Sequence, residues 1–412
     1  NQIGWAIIGS VSMTIFARLF IGWLCDRIGP RKSYTWLLIV GSLPVMGIGL
    51  AQSFETFLLF RVLIGGIGAS FVITQYHTSV MFAPNVVGQA NATSAGWGNL
   101  GGGVTQFVMP LLFSVMVIGF GFSEAVGWRL SMVVVGVIIF LIGIGYYFLT
   151  QDAPDGNYDD LRAQGKMEEK KKVTGNYMHA LKDRRVWVLF VIYGASFGIE
   201  LTVNNVAALY FMDYFDLSLV AAGFVAASFG LMNLFARTLG GIFGDNFGAL
   251  WGLRGRSFWL FICLFFEGLA LLVFSQMQVL FLALPALIVF SLFTQMAEGA
   301  TYSVVPFINK KALGAVAGVV GAGGNTGAVL AGFLFKNVID WSEAFFILGL
   351  VVTAASFLAF FVRFSTRQED EERANFAAAN IDTLRLRAAK ANAALEEGLQ
   401  AISDKNGRAN PA

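Results

Sequence analysis

Residues Phe16–Asp26 read FARLFIGWLCD, and residues Phe235–Asp245 read FARTLGGIFGD. The two stretches share Phe, Ala, Arg, Gly and Asp at the same offsets. Each lies in an apolar run that ends in a basic loop, Asp26–Lys32 (DRIGPRK) in one case and Asp245–Arg256 (DNFGALWGLRGR) in the other. A second pair follows in the same order: Gly98-Asn99-Leu100-Gly101 matches Gly324-Asn325-Thr326-Gly327. Two motifs repeated in one order mark two homologous halves. Parallel repeats meeting near a bilayer midplane are a known transporter plan.

Working outward, the whole chain is too apolar for water. Its 412 residues are 56% hydrophobic and 13% charged, with mean hydropathy +0.67. A soluble domain carries about 25% charged residues. A bilayer resolves the excess by acting as the solvent. The 40 Phe suit lipid contact, and the 47 Gly suit close helix crossings. A net charge of +2 gives no footing for nucleic acid. Cys25 and Cys263 lie in or beside apolar runs and signal neither a disulfide nor a metal. The first apolar stretch reads as a span, with no cleavable signal peptide before it.

A spanning helix takes about 20 apolar residues. Eleven stretches qualify: 3–24, 33–52, 56–82, 90–118, 128–149, 187–212, 219–244, 257–276, 278–305, 312–335 and 343–364. Lys and Arg select the cytoplasmic side. One set of connections holds Arg27, Arg31 and Lys32; Lys166, Lys170, Lys171 and Lys172; Arg254 and Arg256; Lys310 and Lys311; and Arg367. The alternate set is acidic, with Glu55, Glu124, Asp213, Asp216, Asp340 and Glu343, and only Arg129 and Lys336 as basic exceptions. The chain is thus predicted to start outside and end inside. The polar stretch 151–186 divides an N-terminal bundle (1–150) from a C-terminal bundle (187–364), and 365–412 forms a tail. In the tail, Leu384, Leu395, Leu399 and Ile402 share a helical stripe, read as a solvated, partly helical regulatory segment.

Arg18 and Arg237 fall in mid-span. An Arg near the bilayer centre costs about 2.5–3.5 kcal/mol on insertion scales and is rarely idle. One reading is an ion pair with Glu200, Glu267 or Glu298. The other is an anion site, because guanidinium offers a planar fork to planar oxyanions. The first half has no mid-span acid, so Arg18 lacks a carboxylate of its own half. Arg61, which opens RVLIGGIGAS near the outer face, reads as a snorkelling or conformational residue. Residues 95–106 (AGWGNLGGGVTQ) and 319–332 (VVGAGGNTGAVLAG) each set Gly around one Asn. Such faces serve close packing, or they bare backbone and an amide to an ion.

GWLCDRIGPRK resembles the loop motif between helices 2 and 3 of the major facilitator superfamily. That resemblance implies an all-α membrane protein of two pseudosymmetric six-helix bundles. The eleven spans present become helices 2–12, with helix 1 missing from the chain as given. Gly22, Asp26, Arg27, Gly29, Arg31 and Lys32 then form the conformational loop motif. AGWGNLGGGVTQ, YGASFGIELTVNN (193–205), FARTLGGIFGD, ATYSVVPF (300–307) and GAGGNTGA resemble the nitrate/nitrite porter family, closest to its high-affinity nitrate transporters. The resemblance covers nearly the whole chain. It implies that Arg18 and Arg237 bind nitrate, and that Asn99, Asn325, Gly98, Gly101, Gly324 and Gly327 line or gate its path. It also implies a multi-pass plasma-membrane protein with its C-terminus in the cytoplasm.

Nitrate is an anion, and 100 mV, inside negative, opposes its uptake by about 2.3 kcal/mol. Uptake therefore needs a partner cation or an exchanged anion. Glu200, beside Asn204 and Asn205, is the first candidate proton carrier; Glu298 is the second and His77 the third. The expectation is nitrate uptake, with nitrite as a further substrate, by proton symport through alternating access. A nitrate/nitrite exchanger and a nitrate-binding membrane sensor are the alternatives. Expected partners are nitrate, nitrite, protons, the bilayer and an accessory membrane subunit. No P-loop, metal cluster or nucleophile–base pair suggests an enzyme, and no cofactor or metal is expected.

Overall fold

The structure, a computed structural model, describes residues 2–167, 178–336 and 340–408. Lys170, Lys171 and Lys172 lie outside the described residues, as do the side chains of Leu399 and Ile402. Among the described residues the fold is helical and contains no β-strand, only one isolated bridge between Ala153 and Gly156. In lipid, a helix satisfies its backbone hydrogen bonds internally, which is why apolar stretches this long fold this way.

The first half comprises α1 (Gln2–Ile28), α2 (Pro30–Gly47), α3 (Phe54–Gly65), α4 (Ser70–Met81), α5 (Val87–Ser114) and α6 (Glu124–Leu149). A short helix α7 (Tyr158–Ala163) stands in the connection. The second half comprises α8 (Arg184–Phe215), α9 (Leu219–Leu231), α10 (Ala236–Trp251), α11 (Leu253–Ser275), α12 (Leu280–Val304), α13 (Leu313–Lys336) and α14 (Trp341–Ser356). The tail is one long helix, α15 (Thr366–Arg408). Among the described residues, nine helical segments are long and apolar enough to cross a membrane. The two other predicted spans coincide with α1 and α5, which are helical over 27 and 28 residues.

Helices α3 and α4 form one span broken by a 3-10 turn at Gly66–Ala69. The break seats the chain on α1. Gly65 comes so close that a Cβ there would lie 2.3 Å from Ser10 O. Thr14 Oγ1 donates to Gly65 O at 2.7 Å. Helices α9 and α10 form a second broken span, with a 3-10 turn at Met232–Leu234 just before Arg237.

The halves meet at the end that carries the basic loops, and they meet symmetrically. Asp26, at the end of α1, accepts from Gly314 N and Ala315 N, both at 3.0 Å. Those amides belong to the first turn of α13, in the other half. Asp245, its counterpart on α10, accepts from Gly88 N at 3.0 Å and Gln89 N at 2.7 Å, in the first turn of α5. Free amides and the helix dipole make a helix N-terminus a natural carboxylate acceptor site. Glycine lets the backbones approach: a Cβ on Gly22 would meet Gly314 O at 2.2 Å, and one on Gly241 would meet Gly88 O at 2.3 Å.

The rest of the loop motif fastens to the connection. Gly29 takes φ +89 with Asp152 packed against it, and Arg31 N donates to Asp152 Oδ1 at 2.8 Å. Lys32 pairs with Asp159. Arg27 and Arg31 stack on Trp23 and Tyr147 at 5.0 and 4.5 Å. Tyr158 on α7 shares a 2.7 Å hydrogen bond with Tyr76, and burial pushes its phenol up from the ordinary range.

The tail corrects the expectation of a solvated segment in its first half. Glu369 pairs with Arg254 at 2.7 Å and Glu372 pairs with Lys310 at 2.5 Å. Gln368 Nε2 donates to Phe307 O at 2.6 Å, and Asn85 Nδ2 donates to Asn380 Oδ1 at 3.0 Å. The helix therefore lies across the basic end and touches both halves. Beyond it the stripe stays in solvent: Leu384 and Leu395 are exposed.

Candidate functional site

Arg18 sits on the face of α1 turned to the Gly66–Ala69 break and to α13. Its Nε donates to Gly68 O at 3.4 Å, and its Nη1 donates to Gly321 O. Its guanidinium lies over Phe71 at 5.2 Å and Phe197 at 5.6 Å. Phe71 opens α4 immediately after the break. The Gly65 and Gly68 crossings that seat this span on α1 bring the ring to the arginine.

Arg237 stands on the first turn of α10. Close crossings hold it on two sides. A Cβ on Gly96 of α5 would meet Asn233 O at 2.6 Å, and one on Gly299 of α12 would meet Arg237 O at 2.1 Å. The second crossing brings Glu298 into an ion pair with Arg237. Glu200 Oε2 lies 3.8 Å from Arg237 Nη1. Arg237 also donates to Tyr193 Oη at 2.9 Å and Asn233 Oδ1 at 3.5 Å. Asn233 Nδ2 in turn donates to Glu200 Oε1 at 2.6 Å. The Arg237 guanidinium lies over the same two rings, Phe71 and Phe197, at 5.8 Å from each.

The two arginines therefore converge on one aromatic cluster. Tyr193 and Phe197 stack at 5.2 Å, Phe71 stacks on each at 6.1 Å, and Tyr302 meets Phe71 and Tyr193 edge-on at 5.2 Å. Arg18 is 4% exposed and Arg237 0%. Their electrostatics differ. Arg237 has two carboxylates beside it. Among the described residues Arg18 has none, only carbonyls and ring faces. Carbonyl dipoles and ring quadrupoles ease a buried guanidinium but leave its charge uncompensated. Such a group favours an anion.

The asparagine–glycine segments are not used alike, which corrects their expected equivalence. Gly324 and Gly327 on α13 are packing positions. A Cβ on Gly324 would lie 2.4 Å from Phe197 Cδ1, and one on Gly327 would lie 2.2 Å from Gly194 O. Their backbone is covered by α8, so it is not bare to an ion. Gly98 and Gly101 on α5 face open space. Among the described residues Asn99 Nδ2 is buried without a hydrogen-bond partner, while Asn325 is 5% exposed within the α13 packing face. Of the proton candidates, Glu200 and Glu298 lie at Arg237. His77 does not join them. It bonds Tyr146 Oη and Gln151 O, beside the connection, because its turn of α4 faces α6.

Sequence reasoning missed Tyr193, Phe197, Phe71, Tyr302, Asn233 and Asp152. Tyr193 and Phe197 were legible: they stand four apart in YGASFGIE, two turns and one turn before Glu200, on a shared helical face. Phe71 and Asn233 carried no such signal. Both come into place through breaks in their spans.

Two repeated halves, each sending a buried arginine to a shared centre and a carboxylate to a helix of the other half, define a two-bundle membrane carrier. The description of the Major Facilitator Superfamily matches residues 1–306 and 201–403. The chain is 40% identical over 335 residues to high affinity nitrate transporter 2.5 of Arabidopsis thaliana, covering 81% of this chain and 66% of that relative. It is 36% identical over 373 residues to nitrate transporter 2.1 of Chlamydomonas reinhardtii, covering 88% and 68%. It is 29% identical over 434 aligned positions to the nitrate/nitrite transporter NrtP of Nostoc punctiforme, covering 88% and 85%. The chain spans just under two thirds of the first plant relatives it matches, 66% and 65% of their lengths. In fold it resembles the proton:xylose symporter XylE, with TM-score 0.62 at 14% identity, over 88% of this chain and 86% of that one. The chain belongs to the major facilitator superfamily and, within it, to the nitrate/nitrite porter family.

Proposed function

We propose that this protein is a secondary active transporter that takes up nitrate, with nitrite as a second substrate, by proton-coupled symport through alternating access. One observation carries the reading: Arg18 presents a buried guanidinium with no carboxylate beside it among the described residues, on rings it shares with Arg237. A planar oxyanion supplies the missing charge and matches the guanidinium fork. The relatives named for nitrate and nitrite support the choice of anion. Asn99, whose Nδ2 has no partner among the described residues, is a further neutral donor to it. Glu200 and Glu298 are the groups at hand for a proton, since an anion that draws on Arg237 loosens its hold on Glu298. Residues 1–150 and 187–364 act as the two moving bundles, joined by 151–186. The setting is a plasma membrane, with the basic loops and the tail on the cytoplasmic side, where positive loops are retained.

The test is tracer nitrate uptake by the full-length protein in liposomes, under separately imposed pH and voltage gradients. Accumulation driven by an inward proton gradient supports symport. Uptake that needs internal nitrite and ignores pH identifies an exchanger. Binding without flux identifies a sensor.

A further inference from the structure

Among the described residues, three carboxylates and one guanidinium gather in the interior of the second half, apart from the buried Asp245–Arg256 pair at its basic end. Glu200 on α8, Glu267 on α11, Glu298 on α12 and Arg237 on α10 are all buried. Arg237 is shared by Glu298 and Glu200, and Glu200 also accepts from Asn233. Glu267 has no such support. Both its carboxyl oxygens are buried with no hydrogen bond among the described residues, and none of the ion pairs described there includes it. The hydroxyl beside it belongs to Thr294 on α12. That hydroxyl already donates its only proton to Phe290 O, at 2.9 Å. With that proton directed to Phe290 O, its lone pairs remain to accept a bond. An ionised Glu267 would be a fully buried charge without a partner among the described residues, a costly kind of group. A neutral carboxyl has an O–H that Thr294 can accept.

The surroundings agree from every side. Cys263 precedes Glu267 by one turn of α11. Helix α12 presents Thr294 and Glu298, and its Gln295 has both amide atoms buried without partners among the described residues. Helix α8 presents Glu200, and α10 presents Arg237. Helix α14 sets Thr353 against Gly268, and its acid, Glu343, stands far off in its first turn. Glu267 lies within electrostatic range of both Glu200 and Glu298. Three carboxylates against one guanidinium carry two uncompensated negative charges if all are ionised. Burial in a membrane disfavours that state, and two bound protons remove it.

We infer that Glu267 is a proton-binding site of the carrier, holding a proton in this state and passing it to Glu298 or Glu200 during turnover. The transfer breaks the Glu267 O–H bond and forms one on a carboxylate oxygen of the acceptor. It becomes favourable when an anion draws Arg237 away and strips Glu298 of its counter-charge. The inference rests on the proton-coupled reading above and adds a residue to it.

The test uses full-length protein carrying Glu267→Gln, which mimics the protonated side chain, in nitrate-loaded and empty liposomes. Expected are nitrate counterflow at the wild-type rate and a weakened pH-driven accumulation. At one pH unit, each coupled proton supports about tenfold accumulation, so losing one proton removes about that factor. The infrared carbonyl band of protonated carboxyls should also be weaker in the variant than in wild type, by the share that Glu267 contributes. If Glu267→Gln fails to insert, Glu267→Met is read in the same way. Undiminished pH-driven accumulation, loss of counterflow, or an unchanged carboxyl band overturns the assignment. Wild type that shows no pH-driven accumulation at all overturns the symport reading itself.

Discussion

Arg18 and Arg237 lie over the same two rings: Phe71 is 5.2 Å from one guanidinium and 5.8 Å from the other, and Phe197 is 5.6 and 5.8 Å away. Equivalent in the repeat, they differ in their carboxylates. Arg237 holds two and Arg18 none among the described residues. Arg18→Lys keeps the charge but loses the planar fork. Losing one charge-assisted hydrogen bond costs about 1.5–3 kcal/mol, so the half-saturation concentration for nitrate should rise about ten- to a hundredfold. Arg237→Lys should change that value less and should alter the pH dependence of uptake more, because its partners are Glu298 and Glu200. The measurement is uptake kinetics at matched expression across a pH series. Equal effects on affinity and pH dependence in both variants would restore their equivalence.

The glycines separate packing from path. Gly324→Ala puts a Cβ 2.4 Å from the Phe197 ring and 3.0 Å from Tyr193. Overpacking of this kind costs about 1–3 kcal/mol, and the melting temperature in detergent should fall. Gly98→Ala meets open space and should melt as wild type does. A stable Gly324→Ala protein would mean that α13 does not need its close approach to α8.

Asp26 closes the basic end. Asp26→Asn keeps the shape but loses a charge-assisted pair of bonds to Gly314 and Ala315. The native Cys25, fully buried beside it, reports the opening. Maleimide should label Cys25 about tenfold faster in the variant, the factor corresponding to about 1.4 kcal/mol. An unchanged rate would show that the cap does not hold the halves together.

The tail is held by weak ties. Arg254 and Lys310 are largely exposed at their ends of the bridges to Glu369 and Glu372. Exposed bridges contribute about 0.2–1 kcal/mol each and are screened by salt. Reversing both acids, Glu369→Lys with Glu372→Lys, should speed limited proteolysis of the tail several-fold. High salt should narrow the difference. A cleavage rate insensitive to both would assign the docking to Gln368, Asn85 and apolar contact.

Much of the fold was legible in the chain because membrane folding is governed by local composition. Apolar length sets the spans, and repeated Phe-Ala-Arg and Gly-Asn motifs reveal the halves. The mid-span arginines were legible for the same reason, since a charge in an apolar run is conspicuous. Asp26 and Asp245 could be aligned as repeat partners, yet their exchange of caps between halves could not be read from either loop.

What the sequence by itself determined about this protein is its helical, membrane-embedded, two-fold-repeated plan and the identity of its two mid-span arginines. What only the tertiary structure decided is how those cations are neutralised. Close crossings at Gly96 and Gly299 put Arg237 among carboxylates, while Arg18 donates to the Gly68 and Gly321 carbonyls. The two arginines share a motif, but charge balance in a low-dielectric interior depends on atoms a few ångströms away, and those come from other helices.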